Sequence, residues 1–145
     1  MNKQAALKVS RVVLVLAGIL DLIRGYAHTF NIRYAAEYVA GIEPIPDSLV
    51  LMGAFGISNF LTAFIYFLVA TKVPKLSPFV LLIIPISYLI GGLGMQMEQV
   101  TFESAFRGRN MLAIYMPVCV LTAAYYFGMS YWEKVQSKSV KLSES

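Results

Sequence analysis

Charge and cysteine are what this sequence has least of. Only 14% of its 145 residues are charged, against about 25% in an ordinary soluble domain. There is one cysteine, Cys119, so an intramolecular disulfide, a CxxC redox pair and a thiolate-based zinc or iron–sulfur site are excluded within one chain. There is one histidine, His28, so no haem can be ligated by histidine from both sides of its plane within the chain. The chain has no metal set such as HExxH, and no second strong nucleophile stands out, so hydrolysis finds little support. None of these limits extends to a site shared across an oligomer.

What the chain has instead is apolar length. Hydrophobic residues make up 58% of it, and the mean hydropathy is +0.66. That combination is expected of a polytopic membrane protein, and the length allows one compact domain. The pI near 9.2 and net charge of +4 raise the question of nucleic acid. The basic residues, however, sit in short loops and tails, where they orient a chain in a bilayer. No nucleic-acid partner is expected; membrane lipids are.

A spanning helix needs about 20 mostly apolar residues to cross a hydrocarbon core roughly 30 Å thick. Four stretches qualify or nearly so, approximately 12–30, 49–70, 79–95 and 111–129. Together they predict an all-α, integral membrane four-helix bundle occupying residues 1–132. Pro85 and Pro117 fall inside the third and fourth spans and predict local kinks. The link from Thr71 to Pro78 contains two prolines and two lysines and is expected to make the second and third spans a tight antiparallel pair.

Charge then sets the topology. Lys3, Lys8, Arg11, Lys72, Lys75, Lys134, Lys138 and Lys141 lie on one side of a four-span arrangement. Arg33, Arg107 and Arg109 lie on the other, among Glu37, Glu43, Asp47, Glu98 and Glu103. Eight basic residues against three predict that both termini are cytoplasmic, as in a multi-pass protein of a bacterial inner membrane. A cleaved signal peptide is the rival reading of the N-terminus. Tyr26-Ala27-His28 is a poor substitute for a small-x-small cleavage site, so the first span is expected to stay. Tyr131 and Trp132 are expected as interfacial anchors, and residues 133–145 as a polar cytoplasmic tail without regular structure. On the outer side, Ile32 to Val39 can form a short amphipathic helix at headgroup depth, ended by Gly41, Pro44 and Pro46. It is expected to be an interfacial connector rather than a lid.

Each span carries one polar or small-residue seam. The first has Gly18, Asp21, Arg24, Gly25 and His28 within an arc of roughly 100°. The second has Gly56, Asn59, Ala63 and Tyr66. The third has Tyr88, Gly91, Gly92 and Met95, and the fourth has Tyr115, Cys119, Thr122 and Tyr126. Small residues permit close helix approach, and the polar ones cannot face lipid cheaply. Charged residues in a span cost about 2.5–3.5 kcal/mol each on insertion scales, so they mark a site or a fixed structural contact. By depth, Asp21, Asn59 and Tyr88 sit near mid-membrane, while Arg24, His28, Gln96 and Tyr115 sit nearer the outer face.

These residues are the ligand-binding candidates: Asp21, Arg24, His28, Asn59, Tyr88, Gln96 and Tyr115. Asn59 and Tyr88 are expected to hydrogen-bond the Asp21 carboxylate, and the loop 96–110 to sit above an outward-facing pocket. The bland alternative is an Asp21–Arg24 pair that cancels charge within one helix, with the tyrosines as bundle filler. Arg24 can donate to an anion or carbonyl, Asp21 can orient it, and His28 can add a polar contact or move a proton. Three function classes stay open. The first is a protein binding a lipid, quinone or other small amphipathic molecule. The second is an accessory or scaffold subunit of a larger membrane complex, and the third is a small oligomeric transporter. No catalytic residue follows from the sequence.

A first span ending in Gly25-Tyr26-Ala27-His28 and followed by three more spans resembles small bacterial membrane proteins of the DoxX-like kind. The resemblance covers the four-span layout and this short motif. It implies a compact four-helix bundle, a type sometimes linked to quinone or sulfur redox chemistry. It assigns no catalytic residue, and the single cysteine argues against thiol redox here.

Overall fold

The computed structural model describes residues 2–99 and 108–143, with side chains described over 2–99 and 112–139. All regular structure among these residues is helical. Helix α1 runs Lys3–Phe30, and its first turn is capped by Asn2, whose side-chain oxygen accepts the Ala5 N–H at 2.9 Å. A short helix α2, Ile32–Tyr34, leads into a π-helical turn, Ala35–Ala40. Gly41 closes that turn at φ 66°, a left-handed conformation that costs glycine little and other residues more. Helix α3, Pro46–Lys72, starts with proline where a helix has no amide to lose. A 3₁₀ turn, Pro74–Leu76, leads into α4, Ser77–Met97. Helix α5 runs Gly108–Ser143.

Three helical stretches are long and apolar enough to cross a membrane: Pro46–Lys72, Pro74–Met97 and Leu112–Ser139. α1 is not among them; its second half carries Asp21, Arg24 and His28. The polar segment after Trp132, expected to lack regular structure, continues α5 as helix to Ser143. No glycine or proline follows Gly128 to stop it.

α1 sits at the centre and packs against α3, α4 and α5. The expected tight pairing of α3 with α4 is corrected, because α3 takes α1 as its main partner and shares little with α4. Glycines explain that choice. A Cβ on Gly18 would lie 2.9 Å from the Phe67 ring, and one on Gly25 would lie 2.9 Å from the Phe60 ring. On the opposing helix, a Cβ on Gly56 would meet Thr29 Cγ2 at 2.7 Å and the His28 carbonyl carbon at 3.0 Å. Each missing side chain admits its neighbour, and the two helices close in antiparallel register.

The bundle has two unequal halves. In the half that holds the chain termini, Leu14, Ala70, Leu81, Ile84, Cys119 and Ala123 form a buried core drawn from all four long helices. In the opposite half, Ala35, Ala36 and Ala40 pack with Met52 beside α1 and α3. α4 takes little part there. Its buried face consists of Ser77, Pro78, Leu81, Ile84 and Pro85, and helical spacing continues that face through Tyr88, Gly92 and Met95. None of the three is buried, and a Cβ on Gly91 or Gly92 would have no neighbour within 4 Å. Beyond Pro85, therefore, no described residue buries the inward face of α4.

Candidate functional site

Helical periodicity stacks Asp21, Arg24 and His28 on successive turns of α1, and Phe55, Asn59 and Thr62 on successive turns of α3. Because the helices run antiparallel, the two rows meet as a ladder. Thr62 Oγ1 donates to Asp21 Oδ2 at 2.9 Å. Asn59 Nδ2 lies 3.3 Å from His28 Nδ1; in the tautomer that carries its proton on Nε2, the ring accepts from the amide. The Phe55 ring lies 5.3 Å from the His28 ring and 5.3 Å from Arg24 Cζ, within cation–π range of the guanidinium.

Asp21 and His28 are only 6% and 9% exposed, so each needs its partner. An unpaired buried carboxylate is costly. Asp21 meets that cost with the Thr62 hydroxyl and with Arg24 Nη1 at 3.4 Å. The ion pair is long and single-pronged, and the Arg24 side chain is 25% exposed. Among the described residues the guanidinium has no other hydrogen bond, and neither does His28 Nε2. Arg24 is therefore a donor with capacity to spare, and so is His28 in the tautomer protonated on Nε2.

Below the ladder, Tyr66 of α3 and Tyr115 of α5 are neighbours, and both lie within electrostatic reach of Asp21. Cys119 is also within reach of Asp21, and Tyr88 is within reach of Tyr66. Among the described residues, no three His, Cys, Asp or Glu side chains converge as a metal would need. What the cluster offers chemically is hydrogen-bond donation to an oxygen acceptor, from Arg24 and His28 together.

Four of the seven candidates, Asp21, Arg24, His28 and Asn59, form this one cluster. Tyr115 borders it through Tyr66. Tyr88 is 39% exposed and, like Asn59, is not the partner of Asp21 expected from the sequence. Asn59 is taken by His28, and Thr62 supplies the carboxylate's hydrogen bond. Gln96 is exposed near the end of α4 and joins none of these contacts. The roofing loop 96–110 falls largely on 100–107, outside the described residues. Thr62 and Phe55 were missed. A threonine inside an apolar helix commonly bonds its own backbone, and the Asn59 carbonyl, 3.0 Å from Thr62 Oγ1, competes with Asp21 for its single proton. The available signal was spacing, since Phe55, Asn59 and Thr62 share one face.

No family model, curated protein or solved structure matches the chain.

Proposed function

We propose that this chain is a four-span protein of the inner membrane, with α1 as the fourth span and both termini cytoplasmic. In that arrangement it binds a small amphipathic molecule through Arg24 and His28. The character of α1 supports the extra span. Its buried stripe holds Ser10, Asp21 and His28, while Val12, Leu16, Ile19, Ile23, Tyr26 and Phe30 are exposed. That stripe also holds Ala6, Leu14, Ala17, Gly18 and Gly25, but large apolar side chains crowd the exposed face, which suits lipid better than water.

The observation that carries the binding proposal is the spare donor capacity of Arg24 and His28 at the open outer end of the bundle. A structural ion pair alone would call for a shorter, better-satisfied contact than one at 3.4 Å. Arg24 and His28 would grip a carbonyl or carboxyl oxygen, while Asp21, held by Thr62, orients the guanidinium. The apolar part of the molecule would stay in lipid or between the helices.

Two experiments test these claims. Single cysteines at Gln4, Glu43 and Ser137 should report topology to a membrane-impermeant maleimide applied to intact cells. Glu43→Cys should label, whereas Gln4→Cys and Ser137→Cys should not; labelling of Gln4→Cys would leave α1 outside the set of spans. For binding, protein purified in mild detergent should carry a molecule identifiable by mass spectrometry. That molecule should raise the wild-type Tm, and Arg24→Ala and His28→Ala should stay folded but lose the rise. Misfolded variants, or a wild type that carries no molecule, would sink the proposal.

A further inference from the structure

The end of the molecule where α1 begins and α5 finishes carries a charge pattern that the Arg24–His28 site does not use. We infer that it is a binding surface for anionic phospholipid, with the headgroup phosphates meeting Lys8, Arg11, Lys72 and Lys75. This inference rests on the reading that the helices span a bilayer, and is independent of the binding role proposed for Arg24 and His28.

Packing gathers basic residues at this end. The Lys3 amide donates to Glu133 Oε1 at 2.7 Å, which fixes the start of α1 beside α5 just past Trp132. The Pro74–Leu76 turn lies against α1 as well. Lys3, Lys8, Arg11, Lys72, Lys75, Lys134 and Lys138 therefore share one end, and all but Lys3 are exposed. Lys3 turns toward the bundle, its Nζ 5.9 Å from the centroid of the Tyr126 ring. Counter-charge is scarce. Among the described residues Glu133 is the one acid at this end, and the one ion pair anywhere is Arg24 with Asp21. The Glu133 carboxylate is itself committed, because it faces the first turn of α1, where the helix dipole is positive. The surface thus carries positive charge that no described residue neutralises.

Depth selects the partner. Leu14, Ala70, Leu81 and Ala123 meet in one core and set a common level along the four helices. At about 1.5 Å per residue from that level, Lys72 and Arg11 lie about 3 and 4.5 Å toward this end, and Lys8 and Lys75 about 9 Å. Tyr131 and Trp132 follow at about 12–14 Å and Lys134 at about 16 Å. The Lys3–Glu133 contact agrees with this count, since both residues fall about 15–16 Å out. Tyr131 and Trp132, 71% and 59% exposed, are the aromatic pair that belongs among headgroups. Lys8, Arg11, Lys72 and Lys75 lie on the bilayer side of that pair, and long basic side chains extend their charge outward to headgroup level while the stem stays against lipid. A soluble acidic protein or a nucleic acid, arriving from water, would meet Lys134 and Lys138 but not the four deeper bases. Lipid phosphates sit at the level that all four reach. Charge bias alone orients a chain whatever lies opposite it; unneutralised charge at headgroup depth adds a contact with anionic lipid, about a fivefold preference for each base.

Trp132 is the chain's one tryptophan and reports on this surface directly. The full chain is reconstituted into vesicles of phosphatidylcholine and phosphatidylglycerol, with one lipid or the other brominated near its headgroup so that it quenches tryptophan on contact. Brominated phosphatidylglycerol should associate with the surface around Trp132 about fivefold or more above brominated phosphatidylcholine. That preference should shrink as salt rises from about 0.1 M to about 1 M, where the screening length falls from about 10 Å to about 3 Å. Lys8→Gln, Arg11→Gln, Lys72→Gln and Lys75→Gln together should abolish it, and each alone should remove part of it. Lys134→Gln with Lys138→Gln should leave most of it. All six side chains are exposed, and a far-UV circular dichroism spectrum like that of the wild type confirms that the variants fold. Equal quenching by the two lipids, or a preference indifferent to salt, would overturn the inference and leave the spanning reading standing. Quenching by neither lipid would take Trp132 out of the bilayer and overturn that reading too. Loss of the preference in the Lys134→Gln, Lys138→Gln variant alone would assign the charge to a soluble acidic partner and overturn the lipid assignment.

Discussion

Adding one methyl group at Gly56 tests the α1–α3 interface on which the whole polar ladder depends. The new Cβ would sit 2.7 Å from Thr29 Cγ2 and 3.0 Å from both the carbonyl carbon and Cβ of His28. Comfortable carbon contacts begin at about 3.5 Å. A backbone atom cannot swing aside, so the helices must part by several tenths of an ångström. Overpacking of this kind costs about 1–3 kcal/mol. Parting also stretches the Asn59–His28 contact, already 3.3 Å long, and a side-chain bond between membrane helices is worth about 0.6 and at most about 1.7 kcal/mol. Against both, alanine gains about 0.8–1.0 kcal/mol over glycine in helix propensity. The balance is a loss of roughly 2 kcal/mol, within a range of about 0.6–4. Gly92→Ala keeps the propensity gain without the clash, since no atom lies within 4 Å of its Cβ. It should be neutral or stabilising by up to about 1 kcal/mol. Thermal unfolding in mild detergent, followed by far-UV circular dichroism, separates the two. At about 2–4 °C per kcal/mol for a chain of this size, Gly56→Ala should lower Tm by about 4–8 °C while Gly92→Ala holds or raises it. If Gly56→Ala unfolds at or above the wild-type temperature, α1 and α3 do not meet in this register and the ladder is wrong.

Thr62→Val removes the hydroxyl from the Asp21 carboxylate and should cost about 0.6–1.7 kcal/mol. Its effect should be smaller in an Asp21→Asn background, and strict additivity would show that the two side chains do not touch. Ser77 Oγ is buried with no hydrogen-bond partner among the described residues. Ser77→Ala should therefore leave stability unchanged or raise it by about 1 kcal/mol, and a loss of that size would reveal a partner. Cys119 is the chain's one cysteine and is fully buried in the inner core. Its maleimide labelling should wait for unfolding, and immediate labelling of native protein would contradict the closed core around Leu14 and Leu81.

The apolar runs were enough to read an all-α chain with helices long and apolar enough to cross a membrane, because covering the backbone's polar groups in lipid dictates helix length whatever the neighbours. They were also enough to single out Asp21, Arg24, His28 and Asn59, because helical spacing places side chains on faces. Pairing between faces was not readable in this way. Which helix meets which depends on complementary shape between distant segments, here Gly18 and Gly25 receiving Phe67 and Phe60 while Gly56 receives His28. That fit made α1 the centre of the bundle, moved Asn59 from Asp21 to His28 and brought in Thr62. The same holds for the opening beyond Pro85. Periodicity continues the inward face of α4 through Tyr88, Gly92 and Met95, but only the packed helices decide that no described residue buries it. Composition and period determined what each helix can bury, and tertiary packing decided what it buries against.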